Sequence, residues 1–306
     1  MPTPSSLDVA KFIQRLEAMT ATANVNSIAL AEQQFVAQAK RFHGTLTVSN
    51  AFRSFFISTI DNLNDLWGPH IASSSLPLEW HEIHTWVLPR LAHNFKWLCG
   101  AEQQAFAGYP YPAFAQVRNI FDSAVITSGV LQKFAAYRDA EGITPGAAVD
   151  PDATRRKRIS AERAIFDRMT GRSSGLDAAI ASELQKIDQM FDWETHGQRL
   201  TATESIDWFN RKGPLHFLPR FDESSFAPFM NRYLETMWMV HRLLPFVRPP
   251  NGPLPEDWRD NWTILDESLE TCAFSLTAQF DKPIGRAIVE FVKAKFPFDA
   301  TSTIVP

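Results

Sequence analysis

The apolar residues of this chain recur at steps of three and four almost from one end to the other, and sustained period-two alternation rich in valine, isoleucine and threonine is missing. Such a pattern builds helices with one buried face and supplies no material for a sheet. The helices it predicts span 6–22, 25–42, 50–66, 78–106 with a kink at Pro89, 111–139, 154–170, 174–192, 202–211, 225–245, 262–280 and 284–295. Breaks fall where the periodicity lapses, at Gly68-Pro69, Gly108-Tyr109-Pro110, Gly142 to Pro151, Gly213-Pro214 and Pro249 to Pro255. Asp8, Asn50, Ser174 and Ser225 stand where first-turn or capping residues are expected. With no flexible linker and no repeat of fixed period, the expectation is an all-α fold, a single large helical bundle of about ten helices forming one domain over 1–306. Within it, 1–75 supplies N-terminal helices, 76–246 a core and 247–306 C-terminal helices.

A chain of 306 residues that is 45% hydrophobic and 21% charged has enough apolar side chain for a large core, which excludes the disordered and low-complexity classes. A net charge of -4 gives no global attraction to nucleic acid or to anionic membranes, so any polyanion contact must be local. The two cysteines, Cys99 and Cys272, are far apart in helical patterns, as expected of reduced thiols. The first residues lack a basic segment followed by an apolar one, and the longest apolar-leaning run, 123–131, is too short for a bilayer. These features lead us to expect a cytoplasmic protein with no membrane partner.

The stretch LEWHEIHTW, 78–86, comes nearest to a metal motif. A zinc-protease helix needs histidines at i and i+4, about 40° apart around the helix, with a glutamate aimed at the bound water. Here His81 and His84 are three apart, and Glu82 follows the first histidine directly, pointing about 100° away. The residues one turn from each histidine are not strong ligands, and Trp80, Ile83, Val87, Leu91 and Leu98 form the apolar stripe. We expect no metal and no cofactor. The chain also contains no phosphate-binding GxxxxGK[ST] loop, GxGxxG turn, GxSxG elbow or CxxC pair.

Three other features carry chemistry. Arg155, Arg156, Lys157 and Arg158, followed by Arg163, Arg168 and Arg172, form the one concentrated basic segment, suited either to a solvated helix start or to a phosphate backbone. In AFAQVRNIFDSAVITSGVL, 113–131, Arg118 and Asp122 flank the apolar stripe four residues apart, a spacing at which they pair. In FMNRYLETMWMVHRLLPF, 229–246, Tyr233 lies on the stripe with His241 at its margin, while Glu235 and Arg242 are expected to face away. The residues alone leave two accounts open: a packing pair with a core-edge histidine, or an arginine, an aspartate and a histidine meeting in a cleft.

The order YPYPAFAQVRNIFD, then WETHGQRLTATESIDWFNRKG, then APFMNRYLETMWMVH resembles uncharacterised all-helical bacterial proteins related to the HEPN (higher eukaryote and prokaryote nucleotide-binding) superfamily, over roughly 90–246. The resemblance implies a metal-independent ribonuclease of a toxin or antiviral defence system. Arg118, Asp122 and His241 are then the catalytic positions, Tyr233 a binding one, and Arg155, Arg156 and Arg158 the residues that grip RNA. Arginine would stabilise phosphate charge, histidine would act as acid or base, and the RNA 2'-hydroxyl would be the nucleophile. The family's Arg-x(4-6)-His pattern is matched literally from Arg211 to His216, but Gly213 and Pro214 interrupt any helical turn there, so Arg118 and His241 are the preferred pair.

Two further accounts remain. One is a non-catalytic helical interaction or sensor module, able to form a homodimer through some of its nine tryptophans and 24 phenylalanines. The other is a small-ligand pocket lined by Trp193, His196, Trp208 and Trp238, for which core packing is the competing role.

Overall fold

The structure, a computed structural model, describes residues 25–73, 78–132, 151–171, 223–247, 256–280 and 282–298, with isolated positions between 14 and 221. Among the described residues the fold is all-α. The helices are α1 (Val25–Gln38), α2 (His43–Ser73), α3 (Leu78–Phe106), α4 (Pro110–Gln132), α5 (Pro151–Thr170), α6 (Glu223–Leu243), α7 (Trp258–Phe280) and α8 (Lys282–Lys295). Short 3-10 segments precede α2 at Ala39–Phe42 and follow α6 at Leu244–Val247. The helices expected over 6–22, 174–192 and 202–211 fall mostly outside the described residues, as do Asp8, Ser174, Arg211, His216 and the ligand-pocket positions Trp193, His196 and Trp208.

Local chemistry explains the connections. The α3–α4 turn has Gly108 at φ 97°, in the left-handed region that favours glycine. Its amide bonds the Ala105 carbonyl at 3.0 Å, and the Tyr109 amide bonds the Gln104 carbonyl at 2.9 Å, the double bond of a Schellman cap. Pro110 then opens α4, where its missing N–H costs nothing. Gln116 Nε2 reaches Gln104 Oε1 at 3.0 Å across the hairpin. α3 continues through Pro89, which lies exposed on its surface.

α2 starts well before the expected 50–66. Asn50 is an exposed residue inside the helix, not its cap. The 3-10 segment feeds straight into α2 through buried Phe42, and buried Thr45 donates its hydroxyl to the Phe42 carbonyl. Ser225 likewise lies inside α6, which begins at Glu223.

One apolar cluster draws residues from all eight helices, including Phe35, Phe52, Leu91, Val117, Ile165, Phe229, Leu269 and Phe291. Val87, Leu91 and Leu98 of the expected α3 stripe are buried. α6 sits at the middle, packed on α2, α3, α4 and α7. α5 lies on α4 at Gly129, where Ile165 and Met169 close over the bare Cα, and Arg90 pairs with Glu162 across α3 and α5. The carboxyl end of α8 is served by its neighbours. Ser128 and Gln132 of α4 donate to the Lys295 carbonyl, and Arg242 of α6 donates to the Phe296 carbonyl at 3.0 Å. No described helix is long and apolar enough to cross a membrane.

The α4–α5 contact yields a direct test. A Cβ on Gly129 would stand 2.5 Å from Ile165 Cγ2 and 3.0 Å from Met169 Cγ. Gly129→Ala is therefore expected to lower stability by roughly 1–3 kcal/mol. A Cβ on Gly44 meets nothing within 4 Å, and Gly44→Ala is expected to raise stability by roughly 0.5 kcal/mol. Urea unfolding followed by circular dichroism reads both.

Candidate functional site

A helix enclosed on every side should be apolar all round. α6 is not, because buried Asn231, Arg232, Tyr233, Glu235, Thr236 and His241 share its middle turns with Phe229, Met230, Leu234 and Met237. Burial of each polar group carries a desolvation cost that only a partner offsets. The partners are the key to what these residues do.

Tyr233 turns toward α2 and α3. Its hydroxyl donates to Glu102 Oε2 at 2.7 Å and lies 3.0 Å from Ser49 Oγ. Ser49 donates to the same carboxylate oxygen, and Arg53 pairs with the other one. Burial, with the Glu102 charge beside it, pushes the Tyr233 phenol well above its usual range, so it stays a protonated donor. Burial also raises the neighbouring Cys99 thiol, although Arg53 pulls the other way. A thiol held protonated is a poor nucleophile.

The opposite face of α6 turns toward α7. Trp238 Nε1 donates to Asp266 Oδ1 at 2.7 Å, and Arg242 grips both oxygens of Asp266 at 2.9 and 2.8 Å. Arg232 and Glu235 form a further buried pair at 2.6 Å. The expectation that Glu235 and Arg242 face away from the core is therefore wrong. α6 has no solvent side in these turns, so Arg242 is answered by Asp266 of α7 while Glu235 pairs with Arg232 one turn away on α6 itself.

His241 occupies an aromatic box. Its ring stacks on Trp262 at 4.9 Å, and Phe55 and Phe52 lie at 5.6 and 6.4 Å. Nε2 lies 3.1 Å from the Trp262 carbonyl oxygen. The side chain is 0% exposed. Burial lowers its pKa from 6.5 to about 4, despite the opposing pull of Asp266.

The structure brings Arg118 and Asp122 together, as their spacing predicts, at 3.0 Å on a partly open face of α4. It does not bring them to His241. α4 and α6 run parallel, since Phe114 packs on Phe229 at 5.6 Å and the far ends of both helices reach the carboxyl end of α8. Arg118 lies four residues beyond the first contact and His241 twelve, an axial separation of about 12 Å. The aromatic neighbours of the imidazole come from α2 and α7, on other sides of α6. Tyr233, expected to contact a ligand, is fully buried and bonded to Glu102. Arg155, Arg156, Lys157 and Arg158 lie in the helical turns that open α5, but their side chains, like those of His81 and His84, fall outside the described residues. Among the described residues no group of three or more histidines, cysteines and carboxylates is placed to hold a metal.

Sequence reasoning missed Ser49, Arg53, Glu102 and Asp266. A faint signal existed for two of them. Glu102 falls four residues after Leu98 on the apolar stripe of α3, and Asp266 four after Trp262 on that of α7. No family model, curated protein or solved structure matches the chain.

Two predictions follow from the burial of these groups. Glu102→Leu removes the shared acceptor of Ser49, Arg53 and Tyr233 and is expected to cost roughly 3–5 kcal/mol, against about 1 kcal/mol for Tyr233→Phe. Chemical denaturation measures the difference. For His241, the unfolded imidazole titrates at 6.5 and the folded one at about 4, so the unfolded chain takes up the proton first. The stability tied to this group is complete above the unfolded value and falls away as pH drops toward the folded one, by on the order of 3 kcal/mol. His241→Phe should flatten that part of the acid limb in a pH series of urea titrations. An unchanged slope would show that the imidazole is not the titrating group.

Proposed function

We propose that this chain is a non-catalytic helical interaction module, not a nuclease acting through Arg118 and His241. The enclosure of His241 carries the proposal. A general acid or base must reach its substrate and exchange a proton near working pH. This imidazole has no exposed surface, is neutral well below neutrality and is tied to a backbone carbonyl. Tyr233, the other polar group that the HEPN resemblance marks on α6, is likewise engaged within the bundle.

The contact surface in this reading is the basic stretch of α5, and the partner a phosphate backbone, with RNA the first to test. Residues 155–158 are helical, and Arg163, farther along the same helix, is exposed. Such a surface binds through counterion release, which weakens steeply as salt rises.

The test is incubation of the purified protein with labelled RNA, with and without EDTA, reading retention and cleavage together. Intact RNA is expected, with retention that falls with salt and is lost in an Arg155→Glu, Arg156→Glu, Arg158→Glu variant. Metal-independent cutting that disappears in both Arg118→Ala and His241→Ala would overturn the proposal in favour of the nuclease. Intact RNA that is not retained would leave the module reading but remove RNA as its partner.

A further inference from the structure

Arg53, Asn94, Asn231, Arg232, Thr236, His241 and Trp262 each have a buried polar side-chain atom with no hydrogen-bond partner among the described residues. Arg232 and Thr236 stand apart from the rest, because they are four residues apart on one helix, where side chains lie over each other. No other two of these residues are three or four apart in the chain. The chain itself therefore brings Arg232 Nε and Thr236 Oγ1 together, whatever the packing of the other helices.

Arg232 is the more enclosed of the two arginines, its side chain 5% exposed against 25% for Arg53. Burial pulls its pKa below the usual arginine value, and the Glu235 carboxylate pulls it back. An arginine stays charged inside a protein, and a charged donor left without an acceptor costs more than a neutral one. Glu235 takes Nη1 at 2.6 Å, which draws the guanidinium toward the following turn. In a guanidinium the Nε–H points to the side away from Nη1. Glu235, three residues on, lies about 60° to one flank of Arg232, and Thr236, four residues on, about 40° to the other.

Thr236 carries the second, independent observation. A threonine inside a helix satisfies its hydroxyl by donating to the carbonyl four residues back. Thr59, Thr127, Thr170 and Thr263 all do so, at 2.7 to 2.9 Å, and Ser268 does the same at 2.7 Å. That bond is open to Thr236 at the Arg232 carbonyl, yet its hydroxyl, on a side chain 1% exposed, does not take it.

We infer that one enclosed, ordered water molecule is held on α6 between Arg232 Nε and Thr236 Oγ1. Water accepts from the guanidinium N–H and either accepts from the threonine hydroxyl or donates to it. One helical turn, about 5.4 Å, is the span of two hydrogen bonds that meet at a single oxygen. An apolar occupant would leave the charged N–H unpaired, and an anion would sit beside the Glu235 carboxylate that already holds this guanidinium. The water gives the Nε side of the arginine an acceptor, as Glu235 does for Nη1.

A crystal structure of the full chain, at a resolution that resolves ordered solvent, tests this directly. One enclosed density peak within hydrogen-bond distance of both Arg232 Nε and Thr236 Oγ1 is expected. A Thr236 hydroxyl bonded to the Arg232 carbonyl, or Arg232 Nε bonded to another protein group with no peak beside it, would overturn the inference. The same crystals soaked in sodium bromide separate water from an anion. No anomalous peak is expected at this position, and a bromide there would replace the water with an anion site. In solution, the Arg232 Nε proton of the labelled protein, assigned through its backbone, is expected to show an Overhauser cross-peak to a long-lived water. Its absence would also count against the bridge.

Discussion

One carboxylate holds three helices in fixed rotation. Glu102 on α3 accepts from Ser49 and Arg53 on α2 and from Tyr233 on α6. A charge taken this far out of water is tolerated only when its lone pairs are filled and a counter-charge is near, and each donor here comes from a different turn or helix. The bond therefore selects one register among the many that apolar packing alone would accept. On one side of it Phe106 meets Phe226, and on the other Phe52 meets Phe95 and His241. Asp266 repeats the arrangement on the far face, tying Trp238 and Arg242 of α6 to α7 while Arg242 also reaches the end of α8.

This economy of donors and acceptors bears on function. In many bundles, polar side chains converging on the core mark a cofactor or a reaction centre. In this one the charged side chains of α6 answer to carboxylates and guanidinium groups of the same chain. The densest charge of one sign in the sequence is on α5, the helix held to α4 by the bare Cα of Gly129 and to α3 by the Arg90–Glu162 pair. The Glu102 and Asp266 bonds described above join α2, α3, α6 and α7, and none of them involves α5.

How much of this could be read beforehand depended on how far apart the interacting residues are in the chain. α3 was expected over 78–106 and is found there, because its stripe is local and Gly108-Tyr109-Pro110 encodes both the cap that ends it and the first residue of α4. The Arg118–Asp122 pair was legible for the same reason, four residues being one turn. Asn50 misled, since a good capping residue can equally sit exposed within a helix that a 3-10 segment has already started. The carboxylates at 102 and 266 were not singled out. A lone acid on an apolar stripe is an anomaly that periodicity registers but cannot assign, because its partners lie on other helices. His241 was singled out as a histidine at the margin of a stripe, yet it is fully buried, and its enclosure comes from Phe55 and Trp262, which no pattern within α6 contains.

The end of α8 has a consequence for the order in which the bundle can be completed. Ser128, Gln132 and Arg242 direct their donors at the Lys295 and Phe296 carbonyls, which leave the ribosome more than fifty residues after the last of those donors. Without that segment, Ser128, Gln132 and Arg242 lack these acceptors. The bundle is thus closed by a late segment whose backbone, more than its side chains, supplies what the earlier helices lack. Whatever the order in which the helices assemble, these hydrogen bonds form only once α8 is in place.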